Sequence, residues 1–446
     1  MKNIRKKKMI TPYLYVLVSF ACVILVGTLL LYLPISIKEG QSIKLVDAFF
    51  TSVSATCVTG LATVNIASTF SIFGKIVIAI LIEIGGLSFL TIAVFFLIVI
   101  GKKMGIGSRF MMKEALNQNS ASGIMLLIKR IIRISFAIQG IFVIINFFIF
   151  LGYGSPWQDA IAYSLFHTIS SFNNAGFDIF GANSMIDYAD KILLNVSTIL
   201  LIVLGGIGFI VITDILNFKK KYLNFHSKVV LMMTTALIIF GTLTIKLLMG
   251  SEITWLEAIF TSVTTRTAGF TTIDLSFITK EPVFVIIIVL MFVGASPCST
   301  GGGIKTTTLF TMLVAIFYMA RGKKPRAFHR RISTESILKA FTLSTLAILY
   351  CIAVVFIIYA VQKQPAVDTF DFSLSSIVFE TISAFGTVGL SVGLTPHLLV
   401  PCKLLICLTM FIGRLGPLTI VSIWNNNWMK NTNSEVNYIE EKIMIG

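Results

Sequence analysis

The sequence predicts an all-α polytopic membrane protein built from four parallel repeats. Three observations support this prediction: the composition, the alternation of long and short apolar segments, and four similar glycine loops. Of the 446 residues, 56% are hydrophobic and only 13% are charged, whereas soluble domains carry about 25% charged residues. This composition excludes an ordinary soluble domain and indicates a chain whose helices lie in a bilayer.

Long apolar segments predict eight membrane spans. They lie near residues 12–34, 75–100, 124–151, 192–217, 229–250, 283–320, 336–361 and 398–424. A helix of roughly 20 apolar residues crosses the hydrocarbon layer, so seven of these segments qualify directly. The segment 283–320 is too long for one span, and Pro297 together with three consecutive glycines interrupts it. We therefore predict seven continuous spans and one broken span.

The basic residues predict the orientation of the chain. Lys and Arg number 36 against 20 Asp and Glu, which gives a net charge of +16. Twenty-five of the 36 lie in the two tails and in the connections 101–133, 218–228 and 321–339. Eight spans place all of these on one side of the membrane, so the positive-inside rule predicts that both termini are cytoplasmic. The charge is therefore mainly a topology signal, and it needs no nucleic-acid partner to explain it.

Four shorter segments lie between successive pairs of long ones, near residues 45–56, 157–172, 253–265 and 372–385. At about 1.5 Å per residue, each one reaches only about halfway across the bilayer. Each runs from a phenylalanine through a Ser/Thr-rich stretch to a glycine: Phe50 to Gly60, Phe166 to Gly176, Phe260 to Gly269 and Phe379 to Gly389. We predict that these segments are half-helices that end in four related loops.

A second motif recurs beyond each loop, at Gly85-Gly86, Gly205-Gly206, Gly294-Ala295 and Gly413-Arg414. Because one span precedes and one span follows every loop, the copies run in the same direction, and parallel repeats can surround a central axis. The predicted units are residues 1–110, 111–222, 223–330 and 331–446. The third unit has a broken second helix with an intramembrane loop at 294–308, and the fourth includes a cytoplasmic tail.

A loop at the carboxyl end of a half-helix has a specific physical use. Its carbonyl oxygens can replace the water around a cation, and the helix end carries partial negative charge. A single glycine of this kind is better explained by helix packing, but four in matching context predict a filter around one central cation pore. The predicted ion-binding carbonyls belong to Val58, Thr59, Gly60, Asn174, Ala175, Gly176, Thr267, Ala268, Gly269, Thr387, Val388 and Gly389.

Arg414 is the first candidate for control of conduction. It stands where the first two repeats have Gly86 and Gly206. A charge at mid-membrane is costly and normally faces a cavity or a partner. We expect Arg414 to face the pore below the filter and to obstruct cations or weaken their binding, and the alternative is a buried pair with Glu83 or another acid.

The broken segment 294–308 is the second candidate. Its glycines and Pro297 interrupt helical hydrogen bonding within the membrane. A kinked helix is the alternative to a gating loop, and Lys305 is expected either to touch an acid or to extend towards the cytoplasm. The predicted gating residues are Arg414, Gly294, Ser296, Pro297, Gly301, Gly302, Gly303 and Lys305.

Three polar side chains near the loops are predicted to be structural. His167 and Glu380 follow the phenylalanines of their half-helices and are expected to pack against them or brace them, and not to bind a ligand. Arg266 lies within the third loop, where a charge facing the pore would repel a cation. We expect it to point behind the loop and brace it against Glu257 or Asp274.

Five specific motifs mark the chain, four in the loops and the last in the span beyond the fourth loop: Thr56-Cys-Val-Thr-Gly60, Asn173-Asn-Ala-Gly176-Phe, Thr265-Arg-Thr-Ala-Gly269-Phe, Phe385-Gly-Thr-Val-Gly389-Leu and Gly413-Arg414-Leu-Gly-Pro417. By these motifs the chain resembles, over essentially its whole length, the membrane subunits of bacterial Ktr potassium-uptake systems (the KtrB or KtrD type) in the Trk/Ktr/HKT superfamily. The resemblance implies a four-repeat pore in the bacterial plasma membrane, a homodimer, and a cytoplasmic ring of nucleotide-binding (RCK-type) regulatory subunits. It also implies K⁺ uptake, often promoted by Na⁺, with 294–308 as the gating loop and Arg414 as the obstructing charge.

The sequence argues against an enzyme. It contains no P-loop, no dinucleotide-binding glycine fingerprint, no H-E-x-x-H and no G-x-S-x-G. The four histidines are scattered and the six cysteines lack metal-site spacing, so we expect no cofactor bound by this chain. The predicted function is a K⁺-translocating pore subunit, and the alternative is a Na⁺-preferring or weakly selective transporter of the same superfamily.

Overall fold

A computed structural model describes residues 12–87, 124–181, 184–217, 222–275, 281–362 and 372–416. The described chain is mostly helical. Its helices are α1 Pro12–Tyr32, α2 Leu45–Cys57, α3 Ile66–Thr69, α4 Ile72–Leu87, α5 Ile124–Gly152, α6 Trp157–Asn173, α7 Ile192–Gly206, α8 Phe209–Leu216, α9 Phe225–Met249, α10 Trp255–Thr264, α11 Glu281–Phe292, α12 Thr306–Met319, α13 Thr334–Gln362, α14 Leu374–Gly386 and α15 Val400–Leu415. Short 3-10 turns occupy Pro34–Ser36, Ile186–Tyr188, Gly250–Glu252 and Thr395–His397.

Three helices in the described ranges are long and apolar enough to cross a membrane: Leu126–Gly152, Phe225–Glu252 and Thr334–Gln362. The pair α7 and α8 passes the same test but is bent by 100°. The predicted break in 283–320 is present, because α11 ends at Phe292 and α12 begins at Thr306. The predicted spans 75–100 and 398–424 continue into residues that lie outside the described ranges.

The bend between α7 and α8 differs from the continuous span predicted over 192–217. Gly208 has φ 92° and ψ 141°, a conformation far from that of an α-helix. Glycine adopts positive φ without steric penalty, so the chain turns sharply at this residue. The aligned Gly416 ends α15 with nearly the same angles, φ 86° and ψ 139°.

The half-helices α2, α6, α10 and α14 occupy the four predicted short segments. Local signals fix where they begin. The Thr254 side chain accepts from the Glu257 backbone N–H while the Glu257 carboxylate accepts from Thr254, which is a capping box. The Ser373 hydroxyl caps α14 by accepting from the Ser376 N–H over 3.2 Å.

Helix contacts follow a cyclic order. The half-helices α2, α6 and α14 each pack against the long helices that precede and follow them, and α10 packs against α9, which precedes it. The helix that follows each half-helix also contacts the next half-helix: α4 contacts α6, α7 contacts α10, and α11 contacts α14. The last helix, α15, contacts α2, so the first and last parts of the chain are neighbours.

One small antiparallel ribbon interrupts this helical architecture, and the sequence did not predict it. Strand β1, Arg326–Ala327, pairs with β2, Arg330–Arg331. The two connecting residues, Phe328 and His329, have φ values of 46° and 60°. Positive φ at both central residues is the conformation of a type I′ hairpin turn.

Candidate functional site

The four predicted loop glycines lie next to one another in a closed ring, here called the glycine ring: Gly60, Gly176, Gly269 and Gly389. A Cβ atom built on Gly60 would lie 3.1 Å from the Cα of Gly176, and one on Gly176 would lie 2.9 Å from the Cα of Gly269. A Cβ atom built on Gly269 would lie 3.2 Å from the Cα of Gly389. A Cβ atom built on Gly389 would lie 3.0 Å from the Cα of Gly60, so the four glycines form a closed ring in chain order.

Side chains are excluded from the glycine ring. A Cβ atom on Gly60 would collide with the carbonyl oxygen of Ala175, and one on Gly389 with that of Thr59. The carbonyl oxygens of Ala268 and Val388 meet the other two glycines in the same way. All four glycines also have positive φ, between 69° and 95°. Two independent constraints, space and backbone conformation, therefore require glycine here.

The residue two places before each glycine is left-handed although none of the four is a glycine. Val58, Asn174 and Thr387 have φ of 59°, 60° and 50°, and Thr267 has φ of 88°. Positive φ is unusual for a β-branched residue and is typical of sites where the surrounding structure imposes it. This feature was not predicted, because the β-branched side chains of Val58, Thr267 and Thr387 disfavour the conformation.

The left-handed residues turn the chain from the half-helix to the glycine ring. The Val58 N–H donates to the Ala55 carbonyl over 3.1 Å, and the Thr59 N–H donates to the Ser54 carbonyl over 2.8 Å. Bonds of this kind satisfy the last carbonyls of a helix. The second and fourth loops repeat the pattern, as in the 2.8 Å bond from the Ala175 N–H to the Ser170 carbonyl.

The Ser/Thr-rich stretches hold the glycines in place. The Ser54 hydroxyl accepts from the Gly60 N–H over 3.1 Å. At the equivalent position of the fourth loop, the Ser383 hydroxyl accepts from the Gly389 N–H over 3.1 Å. This explains why serine stands six residues before the glycine in both loops.

The predicted bracing by His167 and Glu380 is confirmed. His167 Nε2 lies 2.8 Å from the Thr198 hydroxyl, and the ring is fully buried. The Glu380 carboxylate accepts from Ser391 over 2.5 Å and from Thr395 over 2.9 Å. Both side chains therefore tie a half-helix to a neighbouring part of the chain.

Arg266 is buried, with 7% of its surface exposed. Its expected partner Glu257 is engaged in the capping box with Thr254, over 2.7 Å to the Thr254 N–H. Within the described ranges, the Arg266 Nε has no hydrogen-bond partner. The predicted brace between Arg266 and Glu257 is therefore absent, and the alternative brace against Asp274 stays a prediction.

The segment between α11 and α12, residues 293–305, lies directly against the loops. The Gly302 N–H donates to the Thr387 hydroxyl over 3.0 Å, and the Thr300 hydroxyl donates to the Phe172 carbonyl over 3.2 Å. A Cβ atom on Gly301 would collide with the Thr267 hydroxyl. The segment therefore reaches the second, third and fourth loops at once.

The same segment is bound to the helices that follow the loops. The Ser296 N–H donates to the Gly206 carbonyl over 3.0 Å, and the Thr300 N–H donates to the Gly205 carbonyl over 3.2 Å. The Gly303 N–H donates to the Gly413 carbonyl over 3.3 Å. All three acceptors are carbonyls of the recurring glycine motifs. These carbonyls are accessible because glycine has no side chain.

Arg414 binds backbone carbonyls. Its guanidinium donates to the Thr300 carbonyl, and also to those of Gly85 over 2.5 Å and Gly86 over 3.2 Å. Glu83, the alternative partner, instead accepts from Asn173 over 2.6 Å and from Gln139. Arg414 thus connects α15, α4 and the 293–305 segment, and the structure shows no ion pair with Glu83.

Lys305 binds backbone carbonyls and not an acid. Its ammonium donates to the carbonyls of Gly301 over 2.7 Å and Gly302 over 3.3 Å. These bonds are internal to the 293–305 segment and stabilise its fold. Of the ion pairs found in the described part of the chain, none involves Lys305 or Arg414.

An ion pair that was not predicted joins α2 to α15. The Lys403 ammonium lies 3.0 Å from the Asp47 carboxylate, with 13% and 12% of the two side chains exposed. Asp47 lies in the first turn of α2, where a negative charge is favourable. No local pattern links two residues 356 positions apart.

The fold and these loops define a helical membrane protein organised around a ring of four backbone loops. The model of the TrkH family of cation transport proteins matches residues 2–426. The chain belongs to this family.

Several relatives are similar over nearly their whole length. The potassium/sodium uptake protein NtpJ of Enterococcus hirae is 37% identical, with 99% of each chain covered. The Ktr system potassium uptake proteins B and D of Bacillus subtilis are 37% and 33% identical, with 98% of this chain covered in each case and 97% and 98% of those proteins. The crystal structure of the potassium transporter TrkH from Vibrio parahaemolyticus has the same fold, with a TM-score of 0.72 at 18% identity, covering 96% of this chain and 88% of that one.

Proposed function

We propose that this chain is the K⁺-translocating pore subunit of a potassium-uptake system, through which ions move down their electrochemical gradient. The observation that carries the proposal is the closed glycine ring, with a backbone carbonyl beside each glycine. Carbonyl rings of this kind replace the hydration shell of an alkali cation. The relatives named as potassium-uptake proteins support the same assignment.

The proposed architecture is four M1–pore-helix–M2 repeats, residues 1–110, 111–222, 223–330 and 331–446, around one central cation pore. The cyclic helix contacts and the contact between α15 and α2 support it. The chain lies in the bacterial plasma membrane with both termini cytoplasmic, as the distribution of basic residues indicates.

The ion-binding groups are the backbone carbonyls of the twelve predicted loop residues. Each loop supplies three of them, from the ring glycine and the two residues before it. A Na⁺-preferring or weakly selective transporter is the second candidate. One observation favours it: each loop supplies a single ring glycine, which gives fewer aligned carbonyls than a longer potassium-channel filter. One relative is also named a potassium/sodium uptake protein.

The 293–305 segment, which overlaps the predicted gating loop 294–308 and includes Lys305, acts as the gate together with Arg414. Its bonds to three loops support this role, because ions leaving the ring meet it first. Opening is controlled by a cytoplasmic nucleotide-binding partner of the RCK type, with two copies of this chain in the membrane and Na⁺ as a promoter. The relatives named as Ktr system proteins support a second subunit.

Deletion of residues 296–303 tests the gate. Val293 and Ile304 pair as an isolated β-bridge, so the ends of the segment are adjacent and the gap can close. We expect a stable transporter that conducts without its partner. Flux that stays fully dependent on the regulatory subunit would show that the segment is not the gate.

Complementation of a K⁺-uptake-deficient bacterium tests the proposed function. We expect the chain with its partner to restore growth at low K⁺, with and without Na⁺ reported separately, and Gly269→Ser to abolish the rescue. Gly40→Ser is the matched control, because Gly40 also has positive φ but has open space around it. No rescue by a well-expressed chain, or rescue indifferent to Gly269, contradicts the proposal.

A further inference from the structure

The connection between α12 and α13 forms a folded basic surface, here called the basic ribbon, residues 321–331. It contains Arg321, Lys323, Lys324, Arg326, Arg330 and Arg331, and all six side chains are exposed. Neither α12 nor the ribbon contains an acidic residue, and the first acid beyond it, Glu335, pairs with Lys339 over 2.7 Å. Across the described ranges, none of the six bases forms an ion pair.

The basic ribbon has a fixed shape. Gly322 is left-handed with φ 64°, and the Lys323 N–H donates back to the Tyr318 carbonyl over 2.9 Å, which ends α12 in a Schellman-type turn. The type I′ turn places Phe328 edge-on to Phe225 of α9, with ring centroids 6.1 Å apart. Ile332 is buried in a cluster with Val229. Basic residues that only set the orientation of the chain need no fixed shape. This segment, by contrast, is folded onto α9 and α12.

An apolar groove adjoins the basic ribbon. It is a shallow, open surface formed by α12 and the turn that follows it, and it ends at Arg321. Leu313, Ile316 and Phe317 line it, each with about half of its surface exposed. The Arg321 guanidinium lies 3.8 Å from the centroid of the Phe317 ring, so the charge is held at the end of the groove.

We infer that the groove and the basic ribbon together bind an anionic phospholipid, with an acyl chain along α12 and the phosphate at Arg321 and the ribbon. Basic clusters at the cytoplasmic end of membrane helices attract anionic headgroups. An acidic protein would match the charge, but the adjoining apolar groove lies on a membrane-helix face that a soluble partner does not reach. The inference rests on the proposed topology, which places α12 in the membrane and the basic ribbon at the cytoplasmic leaflet.

The test is lipid retention by the purified full-length chain in native mass spectrometry. Detergent-solubilised protein is mixed with equal amounts of phosphatidylglycerol and phosphatidylcholine. We expect preferential retention of phosphatidylglycerol, and a drop of at least about tenfold in the variant Arg321→Gln/Arg330→Gln/Arg331→Gln, since each base contributes several-fold near an anionic surface. Millimolar inorganic phosphate is expected not to displace the lipid, because it cannot occupy the groove.

The matched control is Lys129→Gln/Arg130→Gln/Arg133→Gln, which removes three exposed bases from α5. It is expected to retain phosphatidylglycerol as the unmodified chain does. Phe317→Gln, which changes the groove and leaves every charge, is expected to weaken retention. The inference would be overturned if the two lipids were retained equally, if both triple variants lost lipid equally, or if phosphate displaced the lipid fully. It would also be overturned if the ribbon variant kept its lipid and lost only its regulatory partner. Because the readout is lipid binding, failure here leaves the transport proposal untouched.

Discussion

The backbone N–H of Gly302 donates to the hydroxyl of Thr387 over 3.0 Å. Both residues are buried, and Thr387 is the left-handed residue that turns the fourth loop towards the glycine ring. The bond therefore joins the proposed gate to the proposed filter without an intervening side chain. Displacement of the 293–305 segment removes this bond, so gate position and loop geometry are coupled.

Thr387→Val removes the acceptor for the Gly302 N–H and preserves the shape of the side chain. A hydrogen bond contributes about 0.5–1.5 kcal/mol, so we expect partner-independent K⁺ flux in proteoliposomes to rise severalfold. Thr387→Ser keeps the hydroxyl and is expected to match the unmodified chain. Equal flux through the folded valine variant would contradict the coupling.

Arg414→Ala removes both a positive charge and a donor shared by three carbonyls. We expect raised cation flux or an altered apparent affinity for K⁺ in an uptake assay. Arg414→Lys separates the two causes, because it keeps the charge and loses the planar fork. If the charge obstructs ions, cation flux through the lysine variant stays low. If the hydrogen bonds to the three carbonyls matter, the lysine variant behaves as the alanine variant does. Unchanged uptake kinetics in Arg414→Ala would rule out both.

Gly60→Ala and Gly40→Ala separate backbone strain from lack of space. Both glycines have positive φ, 95° and 78°, and alanine in this region costs roughly 1–2 kcal/mol. Only at Gly60 does a Cβ atom also collide, with the Ala175 carbonyl; at Gly40 nothing lies within 4 Å. We expect growth at low K⁺ to fail in Gly60→Ala and to persist in Gly40→Ala. If the two variants grow alike, the close approach within the ring is unimportant for uptake.

The Asp47–Lys403 pair is expected to stabilise the junction between the first and last repeats. Asp47→Asn leaves a largely buried ammonium unpaired, and loss of one partner of a buried pair costs about 3–5 kcal/mol. We expect a lower thermal unfolding temperature in detergent, partly restored by the exchange Asp47→Lys/Lys403→Asp. Asp190→Asn disrupts the exposed pair with Lys191 and serves as the control, with no measurable change expected. Equal effects of Asp47→Asn and Asp190→Asn would show that the junction pair is not stabilising.

Local patterns predicted the positions of the half-helices closely. The segment expected at 45–56 is the helix Leu45–Cys57, and the one expected at 372–385 is Leu374–Gly386. Short apolar length, capping residues and a glycine beyond the end are all encoded in neighbouring residues, so they can be recognised without tertiary structure. The recurrence of the four loops also indicated which glycines belong together.

Features that depend on distant contacts could not be predicted in this way. Val58 and Thr387 are left-handed against their own preference, since tertiary contacts override the local propensity of β-branched residues. Arg414 was expected to face the pore, with a buried ion pair as the alternative. The backbone carbonyls that it binds could not be predicted, because every residue carries a carbonyl and no sequence pattern marks these. The bend at Gly208 was missed because glycine is also common within straight membrane helices.

The most direct test of the central claim is the competition between K⁺ and Na⁺ for uptake by the reconstituted chain with its partner. Carbonyls held around the glycine ring predict that K⁺ uptake resists excess Na⁺, and that Gly269→Ser, whose new side chain meets the Val388 carbonyl, reduces this preference or abolishes K⁺ flux. Gly40→Ser is expected to retain the preference. A K⁺-to-Na⁺ preference that is the same in the unmodified chain and in a folded, conducting Gly269→Ser would contradict the claim that ions pass through this ring.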